Sequence, residues 1–191
     1  MKVVAINGSP RKKGNTSILI NLVLDEIEKE GIDTELIQLS GKKIRGCVAC
    51  YGCFKNMDKK CAVNTDDMNG IIEKMHLADG IILGSPTYFS NVTSEIKALI
   101  DRCGLVSMAN GGLLKRKVGA AVVAVRRAGS VNTFDAMNRF FLYSQMIVPG
   151  SCYWNMGIGL QPGDVNQDQE GINIMKVLGQ NMAWTLKQVN G

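Results

Sequence analysis

The chain predicts a doubly wound α/β protein built on five parallel strands in the order 2-1-3-4-5. Three observations carry that expectation. Short apolar runs alternate with longer amphipathic stretches over the whole length. The first run, Val3–Ile6, ends in a loop of glycine, hydroxyls and base that opens into a helical pattern. The third run, Gly80–Leu83, ends in a second loop that begins Gly84-Ser85-Pro86. Strand–helix alternation of this kind needs right-handed crossovers, and these make the strands parallel.

Taken in order, the strands are expected at Val3–Ile6, Thr34–Leu39, Gly80–Leu83, Val118–Val125 and Met146–Pro149. Helices are expected at Asn15–Glu30, Thr65–Lys74, Val92–Cys103, Asn132–Ser144 and Gln167–Lys187. In the first helix Ile18, Leu22 and Ile27, with Leu19, Val23 and Leu24, form a broad apolar stripe that Gly31 stops. Five such strands give the flavodoxin-like arrangement, in which ligands sit where strands 1 and 3 diverge. The 191 residues suit one domain. Residues 45–64 read as a cysteine-rich loop and 151–191 as a C-terminal extension. No internal repeat or low-complexity linker interrupts them.

The formal net charge of +5 is mild, and the lysines and arginines are scattered. That excludes a nucleic-acid-binding stripe and leaves solvated surface plus an anion site. Met1-Lys2 leads straight into a core strand, so no signal peptide is expected. No apolar run is long enough to span a membrane. Six cysteines without an export signal point to a reducing compartment, the cytoplasm.

The first loop, Gly8-Ser9-Pro10-Arg11-Lys12-Lys13-Gly14-Asn15-Thr16-Ser17, has the makings of a phosphate site. Amides at a helix N-terminus lack internal partners and carry partial positive charge. Ser9, Thr16 and Ser17 add hydroxyls, Asn15 an amide and Arg11 a charge. A P-loop would need Gly-Lys-Ser/Thr, but Gly14 precedes Asn15. A dinucleotide loop would need G-x-G-x-x-G and an acidic residue after the second strand, and neither is present. A terminal monophosphate suits the loop best. The plainer alternative is a helix capped by Asn15 or Thr16. In the third-strand loop, Tyr88 and Phe89 could wall a flat ligand or fill the core.

Gly8-Ser9-Pro10-Arg11…Gly14-Asn15-Thr16-Ser17, Gly84-Ser85-Pro86-Thr87-Tyr88-Phe89 and Lys97-Ala98-Leu99-Ile100-Asp101-Arg102 together resemble the NADPH-dependent FMN reductase family. The resemblance covers most of the chain. It implies that Ser9, Arg11, Asn15, Thr16 and Ser17 hold the FMN phosphate. It implies further that Pro86, Thr87, Tyr88, Phe89 and Asn91 edge the isoalloxazine. The loop Arg126-Arg127-Ala128-Gly129 would close the far side through Arg126 and Gly129. This loop departs from the glycine-rich version associated with the family.

The quartet Cys47-x2-Cys50-x2-Cys53-x7-Cys61 follows the second strand. Thiolates at i, i+3 and i+6 converge in a tight loop and can ligate a [4Fe–4S] cluster. Zinc would accept the same four sulfurs, and free thiols remain a third reading. The chain is similar here to the iron–sulfur flavoproteins, a branch of the same superfamily, which implies a cluster exchanging single electrons with FMN. Cys103 and Cys152 read as small buried residues, and His76 as a packed or surface histidine. Trp154 and Trp184 read as core or interface anchors.

The reading as a whole is an FMN-dependent oxidoreductase with no side-chain acid–base pair. It would take electrons from NAD(P)H or a low-potential carrier and pass them to an acceptor such as a quinone or flavin. The alternative is an FMN- or metal-binding redox sensor. The partner is a small molecule or a redox protein. Tyr153, Trp154, Met156, Ile158 and Leu160, within Ser151–Gly163, need a cover, which predicts a homodimer or homotetramer.

Overall fold

The computed structural model describes residues 1–190. The strands are β1 (Lys2–Asn7), β2 (Asp33–Gln38), β3 (Gly80–Pro86), β4 (Val118–Val125) and β5 (Met156–Ile158). They form one sheet in the order β2-β1-β3-β4-β5, with every pairing parallel. The flavodoxin-like topology read from the alternation is the one present. Among the described residues there are also six helices: α1 (Asn15–Lys29), α2 (Gly52–Asn56), α3 (Met68–Leu77), α4 (Ser94–Ala109), α5 (Ser130–Tyr143) and α6 (Gln169–Asn190). A short 3-10 turn at Asp164–Gln167 leads into α6.

The central strands are apolar along their length because both faces are covered. Val4, Ile6, Ile81, Leu83, Ala121 and Val123 point into the layer formed by α3, α4 and α5. Val3, Ala5, Ile82, Ala120, Val122 and Ala124 point into the layer formed by α1 and α6. The period of two along each strand divides the core in this way. Each buried Val, Leu or Ile contributes about 1.5–3 kcal/mol. The helices α1 and α6 run close together, since a Cβ on Gly179 would lie 2.6 Å from the Val23 carbonyl.

Two expectations are corrected. The fifth strand is not Met146–Pro149. Ile147 makes only a lone bridge to Val118, and Pro149 has no N–H to continue a ladder. The chain instead crosses Ser151–Asn155 and pairs Met156–Ile158 with Val123–Val125. A three-residue Met-Gly-Ile strand is too short to show a period. Second, the stretch from 151 onward is part of the fold proper. It supplies the edge strand β5 and α6, whose Ile174, Met175, Leu178, Met182 and Leu186 are buried.

Candidate functional site

At the carboxyl end of β1 the chain is held by its neighbours. Asn7 donates to Gln38 Oε1 at 2.7 Å and accepts from the Ser9 amide at 3.0 Å. Gln38 donates to the Ser9 carbonyl at 2.7 Å, and Ser40 to the Pro10 carbonyl at 2.9 Å. Gly8 donates to the Gly84 carbonyl at 2.8 Å. A Cβ at Gly8 would lie 2.2 Å from Ile96 Cγ1, so only glycine lets α4 approach this close. Gly14 takes the N-cap position of α1 and offers no side chain there. The first-turn amides at Asn15, Thr16 and Ser17 therefore keep their donor capacity.

Ser9, Arg11, Asn15, Thr16, Pro86, Thr87, Tyr88 and Arg126 line one cavity of about 180 Å³. Arg11 donates to the Leu160 carbonyl at 3.3 Å, and Asn15 Oδ1 accepts from the Gly163 amide at 2.8 Å. Among the described residues, neither Arg11 nor Arg126 is paired with a carboxylate. Two unpaired guanidiniums, short hydroxyls and an uncapped helix N-terminus make a site for an anion.

Four residues expected at this site lie outside the cavity wall. Ser17 is buried within the first turn of α1. Phe89 and Ser90 occupy the centre of a tight turn closed by mutual Tyr88–Asn91 amide bonds at 2.9 and 3.0 Å. Both take positive φ, +46° and +61°, and Phe89 is fully exposed, neither core nor wall. Asn91 turns its Oδ1 to the Val92 amide, and the Gly129 carbonyl accepts from Ser90 Oγ. These residues shape the turn. Ala124, Gly159 and Leu160 join the wall unannounced. The last two follow β5, so a misplaced fifth strand hid them.

The cysteine segment leaves the neighbouring strand at the same edge of the sheet. Its ends are zipped: Asp67 donates to the Lys43 carbonyl at 3.0 Å and accepts from the Lys43 amide at 2.7 Å. Between them, Ala49 and Tyr51 take φ near +50°, and a Cβ at Gly52 would meet Ala62 Cβ at 2.4 Å. Cys61 and Asn69 exchange two hydrogen bonds at 2.8 and 2.9 Å. Cys47, Cys50, Cys53 and Cys61 line one cavity with Arg102, Leu105 and Val106. Its volume is about 20 Å³, enough for one water. Burial pushes the Cys53 thiol up. Among the described residues, no three or more His, Cys, Asp or Glu side chains are already gathered at metal-holding distance.

The NADPH-dependent FMN reductase family matches residues 1–161. An iron-sulfur flavoprotein of Methanocaldococcus jannaschii is 40% identical over 196 residues, spanning 99% of both chains. The chain belongs to the NADPH-dependent FMN reductase family. Its fold is similar to that of RosB, solved with 8-demethyl-8-formylriboflavin-5'-phosphate bound (TM-score 0.80, 18% identity, 100% of this chain and 80% of that one). It is also similar to a flavodoxin, WrbA-like protein from Agrobacterium tumefaciens (TM-score 0.65, 15% identity, 98% and 97%).

Membership of the FMN reductase family supports an FMN-dependent oxidoreductase, and the cavity lining has the donor chemistry for the phosphate end of that cofactor. Its hydroxyl, amide and guanidinium donors are of the type that a terminal monophosphate takes. The cavity, about 180 Å³, is smaller than the roughly 300–1,000 Å³ that encloses a ligand of this size, so part of a bound flavin would lie beyond this wall. For a cluster, the thiol set fits in chemistry while the closed cavity must open. Among the described residues, the Val48–Cys50 backbone makes no hydrogen bond to another backbone group, and the Ala49 amide donates to Cys47 Sγ at 3.4 Å.

Elsewhere in this FMN reductase family member, Cys103 is fully buried and its thiol is pushed up to about 12. Cys152, expected buried, is exposed. Trp154 and Trp184 are exposed and so are not core anchors. His76 is half-buried, and its Nε2 has no hydrogen-bond partner. Burial, then Lys117 and Lys59, brings it down to about 4. Among the described residues, no helix is long and apolar enough to cross a membrane.

Proposed function

We propose that the chain binds FMN at the cavity beside β1, β3 and β4. It moves electrons from a reduced donor, NAD(P)H or a low-potential carrier, to an acceptor such as a quinone or another flavin, through a [4Fe–4S] cluster at Cys47, Cys50, Cys53 and Cys61. The observation that carries the reading is the pairing of two unlike sites at one sheet edge. One is an anion cradle with two unpaired guanidiniums, and the other is a cavity lined by four free thiols. The 40% identity to a protein named iron-sulfur flavoprotein supports the second.

Ser9, Arg11, Asn15 and Thr16, with the Ser17 amide, would hold the phosphate. Pro86, Thr87, Tyr88 and Arg126 would border the ring, with the Phe89–Asn91 turn and Gly129 fixing that border. FMN, when bound, supplies two-electron acceptance and one-electron release that no side chain here offers. Arg11 and the α1 amides neutralise phosphate charge, while Pro86, Tyr88 and Leu160 exclude water from the cavity. The four thiolates would hold the cluster, and the reducing cytoplasm would keep them free.

Tyr153, Trp154, Ile158 and Leu160 stay exposed as an apolar strip, and Leu160 also lines the cavity. A second copy in a homodimer or homotetramer would cover the strip and the outer part of the flavin. A monomeric mass in solution with FMN bound would refute that assembly.

The deciding measurement is a visible spectrum of anaerobically purified protein, with chromatography of the released flavin and an iron assay. The expected result is FMN, broad iron–sulfur absorption and about four irons per chain. Recovery of FAD, or of no flavin after reconstitution, overturns the cofactor assignment. FMN without iron after anaerobic reconstitution reduces the function to that of a simple FMN reductase. Turnover with NADPH and a quinone tests the donor and acceptor.

A further inference from the structure

One side chain from α4 closes the cysteine segment. The Arg102 side chain has 0% exposure, and all five of its N–H groups are engaged. Nε donates to Cys61 Sγ at 3.3 Å. Nη1 donates to the Arg45 carbonyl at 3.2 Å and to Asp66 Oδ2. Nη2 donates to the Val63 carbonyl at 2.8 Å and to Asp66 Oδ1 at 3.1 Å. Every acceptor lies within residues 45–66, which bracket the four cysteines. Asp66 itself accepts from the Arg45 amide at 3.2 Å and the Met68 amide at 3.3 Å. A single guanidinium thus joins the chain before Cys47 to the chain after Cys61.

The bond to sulfur differs in kind from the other four. Those satisfy two backbone carbonyls and a carboxylate, as any loop anchor must. A neutral thiol is a weak acceptor, whereas a thiolate makes a charge-assisted bond. Asp66 sits on the far, Nη side of the guanidinium, so the positive Nε edge faces Cys61. A donor on a ligand sulfur stabilises negative charge, and an added electron is negative charge. Lysine could not take this part, because its ammonium has three donors and no fork.

We propose, resting on the reading of the quartet as a cluster site, that Arg102 is a positioning residue for electron transfer. It clamps residues 45–66 shut and, through its Nε–H on Cys61 Sγ, raises the reduction potential of the group held there.

The test compares FMN-loaded wild type with Arg102→Lys and with the double variant Arg102→Leu/Asp66→Leu. The double variant leaves no buried charge unpaired, so it guards against simple loss of folding. Before any iron is added, trypsin should cut at Lys55, Lys59 or Lys60 several-fold faster in both variants, with FMN retained. After anaerobic loading with iron and sulfide, a redox titration should place the midpoint of Arg102→Lys below wild type and that of the double variant lower still. Unchanged cleavage, or a midpoint at or above the wild-type value, overturns the proposal. Loss of FMN from both variants marks a general packing role and overturns it too. If wild type takes up no iron, the quartet reading fails and the role at sulfur fails with it. The trypsin rates then decide the clamp alone.

Discussion

The phosphate loop and the cysteine segment leave adjacent strands at the same edge of the sheet, but they are held in different ways. The loop from Gly8 to Thr16 is fixed by regular elements on three sides: β2 through Gln38, β3 through Gly84, and α4 through Thr93. Its donors are in place before any ligand arrives. The cysteine segment has one five-residue helix, and Ala49, Tyr51, Met57 and Lys59 all take positive φ. It is tied down at its two ends, by Arg102, and by the Asn69 and Asn110 side chains. One site is preorganised by the fold. The other brings four thiols to one small cavity without gathering them at metal-holding distance among the described residues.

Breaking the anchor of the second site should have the largest effect. Asp66→Ala leaves the Arg102 charge buried without its partner, and losing one member of such a pair costs about 3–5 kcal/mol. Urea denaturation followed by circular dichroism measures it. A loss under 1 kcal/mol would mean the segment can release Arg102 to water. At the first site, Arg11→Ala with Thr16→Ala should weaken FMN binding by about 2–4 kcal/mol, the worth of a charge-assisted and a hydroxyl hydrogen bond. Fluorescence titration with FMN reads this directly, and iron content should not change. Parallel loss of iron would show that the two regions are not independent.

Gly8→Ala tests the rigidity of the loop. Its Cβ would collide with Ile96 and Thr93, which should cost about 1–3 kcal/mol. The FMN midpoint should move with it, while trypsin sensitivity at residues 55–60 stays the same. Phe89→Asn should act the other way and stabilise by about 1 kcal/mol, since asparagine tolerates the left-handed turn better. A destabilisation would show that the exposed ring is held by a contact, such as a second copy.

Acidification separates both regions from the rest of the core. His76 is held at about 4 in the fold, below its unfolded value near 6.5. Its contribution is complete above pH 6.5 and is lost as the pH falls toward 4, because the unfolded chain binds the proton more readily. The urea midpoint should fall across that window and flatten in His76→Gln. A slope unchanged by the substitution would place the titrating group elsewhere.

Much of this was legible from the sequence for a local reason. Apolar runs, the Gly8–Ser17 loop and the cysteine spacing are patterns within a few residues, and they act through neighbours along the chain. They pointed to the strand order, to Ser9, Arg11, Asn15, Thr16 and Tyr88 in the cavity wall, and to the four cysteines that share a second cavity; the family resemblance added Pro86, Thr87 and Arg126. The tertiary structure alone decided the rest. It displaced β5 to Met156–Ile158, because Pro149 cannot extend a ladder. It brought Leu160 to Arg11 across 149 residues and put Arg102 inside a loop that ends 36 residues before it. It also left Phe89 in solvent, where hydrophobicity alone would have buried it. Such contacts join residues distant in sequence and depend on how the helices seat on the sheet. No local period records that seating.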